Sequence, residues 1–345
     1  MMFKHFLSVL LRENLLGFLL VSATTMSLAI QAYSQAPFEW IRLLPIGFTV
    51  AYLAVHLRGV TRLARQTFHA VPVPYSVCLG QTHDWFEAAL RQQEQKLVNL
   101  GLAWNDIQRT YRLHRMDWAF LDEHRLGLHS SAWVDKAREV CRHFDHLTNR
   151  IPIQPVYHVF LATPGTFALA LGAKFGRRIP VVVYQHAGMV RDPYVPVFDT
   201  ENIGSHDGYH LLNQRISEYK RIEIERLQPQ TDSSSGKALV ILDFTGHELR
   251  KPYPDCGADD VILVRLCTSH GHIPLDADWV SIAHEIASLL YSQLDRDKQV
   301  HLLPGIPASL AFVLGTVLGT THGVWLYHFN VHDGAYTEPF ASHEL

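Results

Sequence analysis

The longest uncharged stretch of the chain lies near its C-terminus, and its punctuation is that of alternating strand and helix. Between Lys298 and Asp333 there are 34 residues without Asp, Glu, Lys or Arg. Length alone makes this a candidate membrane span. The pattern inside it predicts something else. Val300 to Leu303 is a short apolar run stopped by Pro304 and Gly305. Pro307 stands where a first-turn proline is tolerated, a helix-like run continues to Leu318, and Gly319 to Gly323 closes it. Val324 to Phe329 is a second apolar run of strand length, rich in aromatics. Strand, turn, helix, turn, strand predicts a βαβ unit with both strands buried.

The same unit occurs earlier. His158 to His186 aligns without gaps on His301 to Phe329, a shift of 143 residues (158 to 301). Identical pairs are His158/His301, Pro164/Pro307, Ala168/Ala311, Leu171/Leu314, Gly172/Gly315, Gly176/Gly319, Val181/Val324 and Tyr184/Tyr327. Lys174, Arg177 and Arg178 at the helix end of the first copy argue against lipid burial, and the second copy follows by likeness. A third span remains the competing reading, because GxxxG also packs helices in membranes. Steps of four keep Pro, Ala, Gly and Gly on one helix face. Each internal glycine costs about 1 kcal/mol against alanine, so a close approach must offset it. The expectation is a helix lying close on its sheet. Gly165-Thr166 and Ala308-Ser309 place backbone N–H groups and a hydroxyl at helix starts, where an anion or phosphate is favoured. Simple capping by Thr166 and Ser309 is the alternative.

The repeat extends further. Tyr75 to Leu79 and Ala238 to Leu242 are short apolar strands, each ending in a polar turn. Ser131 to Leu147 and Ala277 to Gln293 are amphipathic at helical spacing, with Trp133/Trp279, Val134/Val280, Ala137/Ala283 and Glu139/Glu285 matching. Each half therefore reads strand, turn, intervening segment, helix, strand, Pro-initiated helix, strand. This is an α/β fold of two tandem Rossmann-like units, 75–227 and 236–345. The hydrophilic stretch Gln228 to Lys237 reads as the connector, and residues 58–74 read as a linker or short helix.

The N-terminus has a different pattern. Glu13 and Glu39 bracket 25 uncharged residues, enough to cross a bilayer at about 1.5 Å per residue. A second run, Leu43 to Leu57, is 15 residues long between Arg42 and Arg58. Trp40 suits an interface. The expectation is a two-helix transmembrane hairpin in residues 1–65, with spans at about 15–35 and 40–57. A cleaved signal peptide is the competing reading. Lys4 and Arg12 before the first span, and Arg58, Arg62 and Arg65 after the second, place both ends in the cytoplasm.

Composition narrows the function. A net charge of −3 over 345 residues gives no broad basic field for duplex nucleic acid. Cys78, Cys141, Cys256 and Cys267 form no CxxC pair and suggest neither zinc nor a disulfide framework. Ser269-His270-Gly271-His272 is the one loop with metal-binding potential, and a solvated loop is the simpler reading. No metal, cofactor or catalytic residue is expected, because the sequence holds no nucleophile elbow, Walker motif or HExxH.

Ligands of open parallel sheets bind beyond the carboxyl ends of the strands. Two units related by a pseudo-twofold would bring two such edges around one cleft. The expected lining is Gly80, Gln81 and Thr82 with Phe244, Thr245, Gly246 and His247 from the first turns. Pro164, Gly165, Thr166, Pro307, Ala308 and Ser309 come from the helix starts. Gln185, His186, His328, Phe329 and Asn330 come from the last strand ends. This inventory suits phosphates and flat rings.

A duplicated Rossmann-like unit ending in HLLPGIPASLAFVLGTVLG and a strand GVWLYHF resembles the SAVED domain, a fusion of two CARF-like units. The resemblance covers about Tyr75 to Phe340, within a domain at 66–345. It implies a sensor of cyclic oligonucleotides in bacterial antiphage systems of the CBASS type. With only the hairpin fused to it, the resemblance implies a multi-pass inner-membrane effector with its SAVED domain in the cytoplasm. A cyclic di-, tri- or tetranucleotide would drive homo-oligomerisation, and the helices would disrupt the bilayer. A membrane-anchored nucleotide phosphodiesterase and a partner-binding scaffold are the alternatives.

Overall fold

The computed structural model describes residues 71–345, apart from 103, 152–154, 177–178, 189–192, 201–214, 232–234, 245–248, 250–251, 268–272, 295, 321–322 and 345. The expected hairpin in residues 1–65 lies outside the described residues. Among the described residues no helix is long and apolar enough to cross a membrane.

The first half begins with β1 (Val71–Leu79), then helices α1 (His83–Asn99), α2 (Trp104–Tyr111) and α3 (Arg115–Trp118). Next come β2 (Ala119–Asp122), α4 (Ser130–Arg150), β3 (Pro155–Ala162), α5 (Gly165–Phe175), β4 (Val181–His186) and β5 (Tyr194–Asp199). β6 (Ile222–Leu227) leads into the second half. That half holds β7 (Lys237–Asp243), β8 (Asp260–Leu266), α6 (Trp279–Leu294), β9 (Gln299–Gly305), α7 (Ala308–Leu318) and β10 (Trp325–Leu326). A hairpin of β11 (Phe329–Asn330) and β12 (Ala335–Tyr336) follows, then β13 (Phe340–Ala341).

The first sheet has the order β2-β1-β3-β4-β5, and the second β13-β10-β9-β7-β8-β6. In each, the inner strands run parallel, and the strand beyond β4 or β10 is antiparallel. Reading β8-β7-β9-β10-β13 against β2-β1-β3-β4-β5 gives the same order twice. The duplication read from the sequence is therefore a duplication of topology. β6 is an addition: it precedes the expected second half yet pairs antiparallel with β8 at the far edge of the second sheet.

Three sequence expectations are corrected. Val71 to Pro74 is not a linker; it is the start of β1. Pro72 and Pro74 are tolerated because β1 pairs with β3 over this stretch while β2 joins only at Ser76, so the missing N–H groups can face the unpaired side. Val324 to Phe329 is not one strand. Only Trp325–Leu326 pairs with β9, and the chain then turns into the β11–β12 hairpin. The 34-residue uncharged run is thus β9, an eleven-residue helix and the short strands β10 and β11.

The third correction concerns the small-residue faces of α5 and α7. They meet each other rather than their sheets. A Cβ added at Gly172 would lie 2.0 Å from the Phe312 carbonyl oxygen, and one at Gly315 would lie 2.0 Å from that of Leu169. Helix backbones in contact leave no room for a methyl group, which is what offsets the low helix propensity of the two glycines. Around this crossing the halves exchange further contacts. α4 touches β13, and α6 touches β5. Trp133 of α4 stacks on Phe340 of β13, with centroids 5.9 Å apart.

Candidate functional site

The carboxyl ends of β1, β3 and β4 and of β7, β9 and β10 carry the residues expected to bind a ligand. Gly80 takes φ +71, and its N–H donates to the Asp122 carbonyl at 2.8 Å, tying the β1 turn to the end of β2. Gln81 is exposed. Thr82 caps α1 by accepting from the Trp85 N–H at 3.4 Å. Phe244 is fully buried, its N–H donating to the Gly305 carbonyl at 2.8 Å. Thr245, Gly246 and His247 lie outside the described residues.

The helix starts follow the expected positions, with Pro164 and Pro307 as N-caps. Their hydroxyls are used inside the protein. Thr166 is 1% exposed, and its Oγ1 donates to the Tyr327 carbonyl at 2.8 Å. Ser309 is 2% exposed, and its Oγ donates to Gln185 Oε1 at 2.6 Å. Each helix start therefore bonds the last strand end of the opposite half. Gly165 lies against the backbone beside Ala308, with a Cβ there meeting the Ile306 carbonyl oxygen at 2.7 Å. The structure brings Thr166, Gln185 and Ser309 to a common seam between the halves.

The remaining residues divide. His186 is exposed and meets Trp85 edge-on at 6.3 Å and Tyr194 at 5.3 Å. His328 packs on Trp133 at 4.9 Å, and burial pushes its pKa down to about 4. Phe329 packs on Tyr336 at 5.0 Å, and Asn330 Nδ2 donates to Asp333 at 2.5 Å, so both shape the β11–β12 hairpin.

One cation at this edge was missed by the sequence reading. Arg125, in the loop after β2, is exposed and packs its Cγ 3.3 Å from the place of a Gly80 Cβ. Its guanidinium meets His332 of the second half. The signal was hidden because β2 is a four-residue strand after three helices, with no counterpart to those helices among the described residues between β7 and β8.

A repeated buried pair lies deeper. His158 shares a 2.8 Å hydrogen bond with the Tyr184 hydroxyl, and His301 a 3.1 Å bond with that of Tyr327. Burial pushes both histidines down to about 4. They are neutral structural groups at pH 7. Among the described residues no cluster of His, Cys, Asp and Glu is arranged to hold a metal ion.

The fold is a duplicated α/β unit with a joint carboxyl-end seam. Residues 212–341 match the model of the SAVED family, the SMODS-associated and fused to various effectors sensor domain. Among solved structures, two of the Acinetobacter baumannii Cap4 SAVED/CARF-domain containing receptor are similar. The one with the cyclic trinucleotide 3'3'3'-cAAA shares 18% identity at a TM-score of 0.42, over 61% of this chain and 44% of that one. The one with 2'3'3'-cAAA shares 14% at 0.47, over 82% and 54%. The Moraxella osloensis Cap4 receptor shares 14% at 0.42, over 82% and 52%. The chain spans about half the length of these receptors. No curated protein matches its sequence.

Proposed function

We propose that the chain is a membrane-anchored sensor whose SAVED domain binds a cyclic oligonucleotide in a CBASS-type antiphage system. The observation that carries this reading is the SAVED match over residues 212–341, laid on a fold whose two halves meet at their strand ends. At that seam lie exposed Gln81 and His186, turn backbone at Gly80, and the Arg125 guanidinium. Rings and backbone donors suit bases and phosphates, and the Arg125 guanidinium suits a phosphate oxygen. The domain binds its ligand without turning it over. The two uncharged runs and basic flanks of residues 1–65 support their role as the anchor in the bacterial inner membrane, with the sensor in the cytoplasm.

Two helices cannot enclose an aqueous path, so the effector acts as an assembly. A ligand joining one molecule's second half to the next molecule's first half makes a heterologous contact, which closes into rings or extends into filaments. Each added copy raises the local concentration of hairpins. The test is full-length protein in liposomes with cyclic di-, tri- and tetranucleotides. Ligand-dependent dye release together with larger species on cross-linking is expected. Release from unassembled protein would overturn the assembly mechanism. Hydrolysis of the ligand would favour the phosphodiesterase reading, and absence of binding would favour the scaffold.

A further inference from the structure

Under α1, on the face of the first sheet away from α5, lies a cavity of about 180 Å³. Cys78 and Ala89 lie on its apolar side, and Trp85 and His186, both exposed, stand at its rim. Gln93 and Tyr194 line it too, 3% and 4% exposed. Gln93 Nε2 donates to the Tyr194 hydroxyl at 3.1 Å, which leaves the Tyr194 proton to be given elsewhere. Gln93 Oε1 is buried and accepts no hydrogen bond among the described residues. A buried amide oxygen left unsatisfied costs about 1–3 kcal/mol, so its persistence beside a cavity points to an occupant that donates to it.

Size and chemistry limit that occupant. A cavity of about 150 Å³ accepts benzene, so this one holds a single heteroaromatic ring system and not a whole nucleotide. The lining is apolar with two aromatic rings at the mouth, which suits a flat face. Besides Ser76 and the rim His186, its polar side chains are Gln93 and Tyr194, which offer an acceptor, Gln93 Oε1, and a donor, the Tyr194 hydroxyl. The pairing edge of a nucleobase offers the complementary donor and acceptor side by side.

We propose that this cavity is a nucleobase subsite: one base of the ligand enters edge-first beneath α1, past the Trp85 and His186 rings at its rim. An N–H of the base donates to Gln93 Oε1, and the Tyr194 hydroxyl donates to the neighbouring ring nitrogen or carbonyl. The sugar and phosphate stay at the strand ends, on the side of Gly80 and Arg125. This assignment rests on the cyclic-oligonucleotide reading, and adds to it which end of the domain reads the base.

The test uses the full-length chain in detergent micelles and equilibrium binding of 3',5'-linked cyclic di-, tri- and tetra-adenylate and cyclic di-guanylate. Gln93→Met keeps the side-chain volume and removes the acceptor. Ala89→Phe fills the cavity. For whichever probe binds the parent protein, each variant should weaken affinity by about tenfold or more at an unchanged melting temperature. If Ala89→Phe lowers the melting temperature, Gln93→Met decides. Affinities of Gln93→Met within about twofold of the parent overturn the subsite and leave the sensor reading standing, as does loss of binding confined to Arg125→Ala. If no probe binds the parent protein, the subsite and the sensor reading fall together.

Discussion

Gly172 and Gly315 occupy the same place on α5 and α7, and each lies where a methyl group would meet the backbone of the other helix at 2.0 Å. This mutual contact explains why both copies of the repeat keep glycine inside a helix. It also fixes how the two sheets are joined, because the helices that touch are the crossovers of both halves.

Replacing either glycine tests the crossing. Glycine to alanine in an exposed helix interior stabilises by about 1 kcal/mol. Here the sign should reverse. Gly172→Ala or Gly315→Ala should destabilise by about 3 kcal/mol or more, since backbone cannot yield as a side chain does. Gly127→Ala, with nothing within 4 Å of the added Cβ, should be near neutral. Urea unfolding midpoints of the three variants measure this.

Thr166 and Tyr327 offer a second test. Thr166→Val keeps the shape and leaves the Tyr327 carbonyl without its 2.8 Å donor, at a cost of about 1–2 kcal/mol. Thr166→Asp should do far worse. At 1% exposure it buries a carboxylate where the hydroxyl now donates to a carbonyl oxygen, so the variant should fail to fold. A folded Thr166→Asp protein by circular dichroism would show that this helix start opens to solvent.

Glu139 and Glu285 match in the repeat but differ in use. Glu139 is exposed and pairs with Lys136 at 2.5 Å. Glu285 is 6% exposed and accepts from the backbone N–H groups of Lys220, Arg221 and Ile222 at 2.8 to 3.0 Å, holding the start of β6. Glu285→Leu should cost about 3 kcal/mol and speed amide exchange in β6, while Glu139→Leu should stay within about 0.5 kcal/mol.

The buried histidines predict an acid response. His158, His301 and His328 have their pKa lowered from 6.5 to about 4 by burial; Asp199 opposes this at His158, and Lys237 adds to it at His301. The unfolded chain therefore binds more protons between these values. Stability should be full above pH 6.5 and fall as acid is added toward pH 4, by about 1 kcal/mol per pH unit per histidine. Comparing urea midpoints at pH 7 and pH 5 measures it. His158→Gln with His301→Gln should flatten the slope; an unchanged slope would place the titrating groups elsewhere.

The sequence by itself determined the duplicated α/β unit, its Pro-started helices and its glycine-closed ends. Local pattern carries these features: apolar runs of strand length, small residues every fourth position, and identical pairs at a constant shift. The seam was also legible as a set of strand ends, since topology places them there. What the small faces pack against was not legible, because a glycine stripe is the same whether a sheet or a second helix lies beneath it. Nor could spacing show that Thr166 and Ser309 reach across to Tyr327 and Gln185, or that Arg125 comes to Gly80. β6 and β13 were invisible for a related reason. β6 alternates Ile222 and Ile224 with Glu223 and Glu225, but nothing in that pattern names its partner, and β13 is only two buried residues; each joins the sheet only when the strand beside it supplies the hydrogen bonds. Those are long-range contacts, and only the tertiary structure decided them.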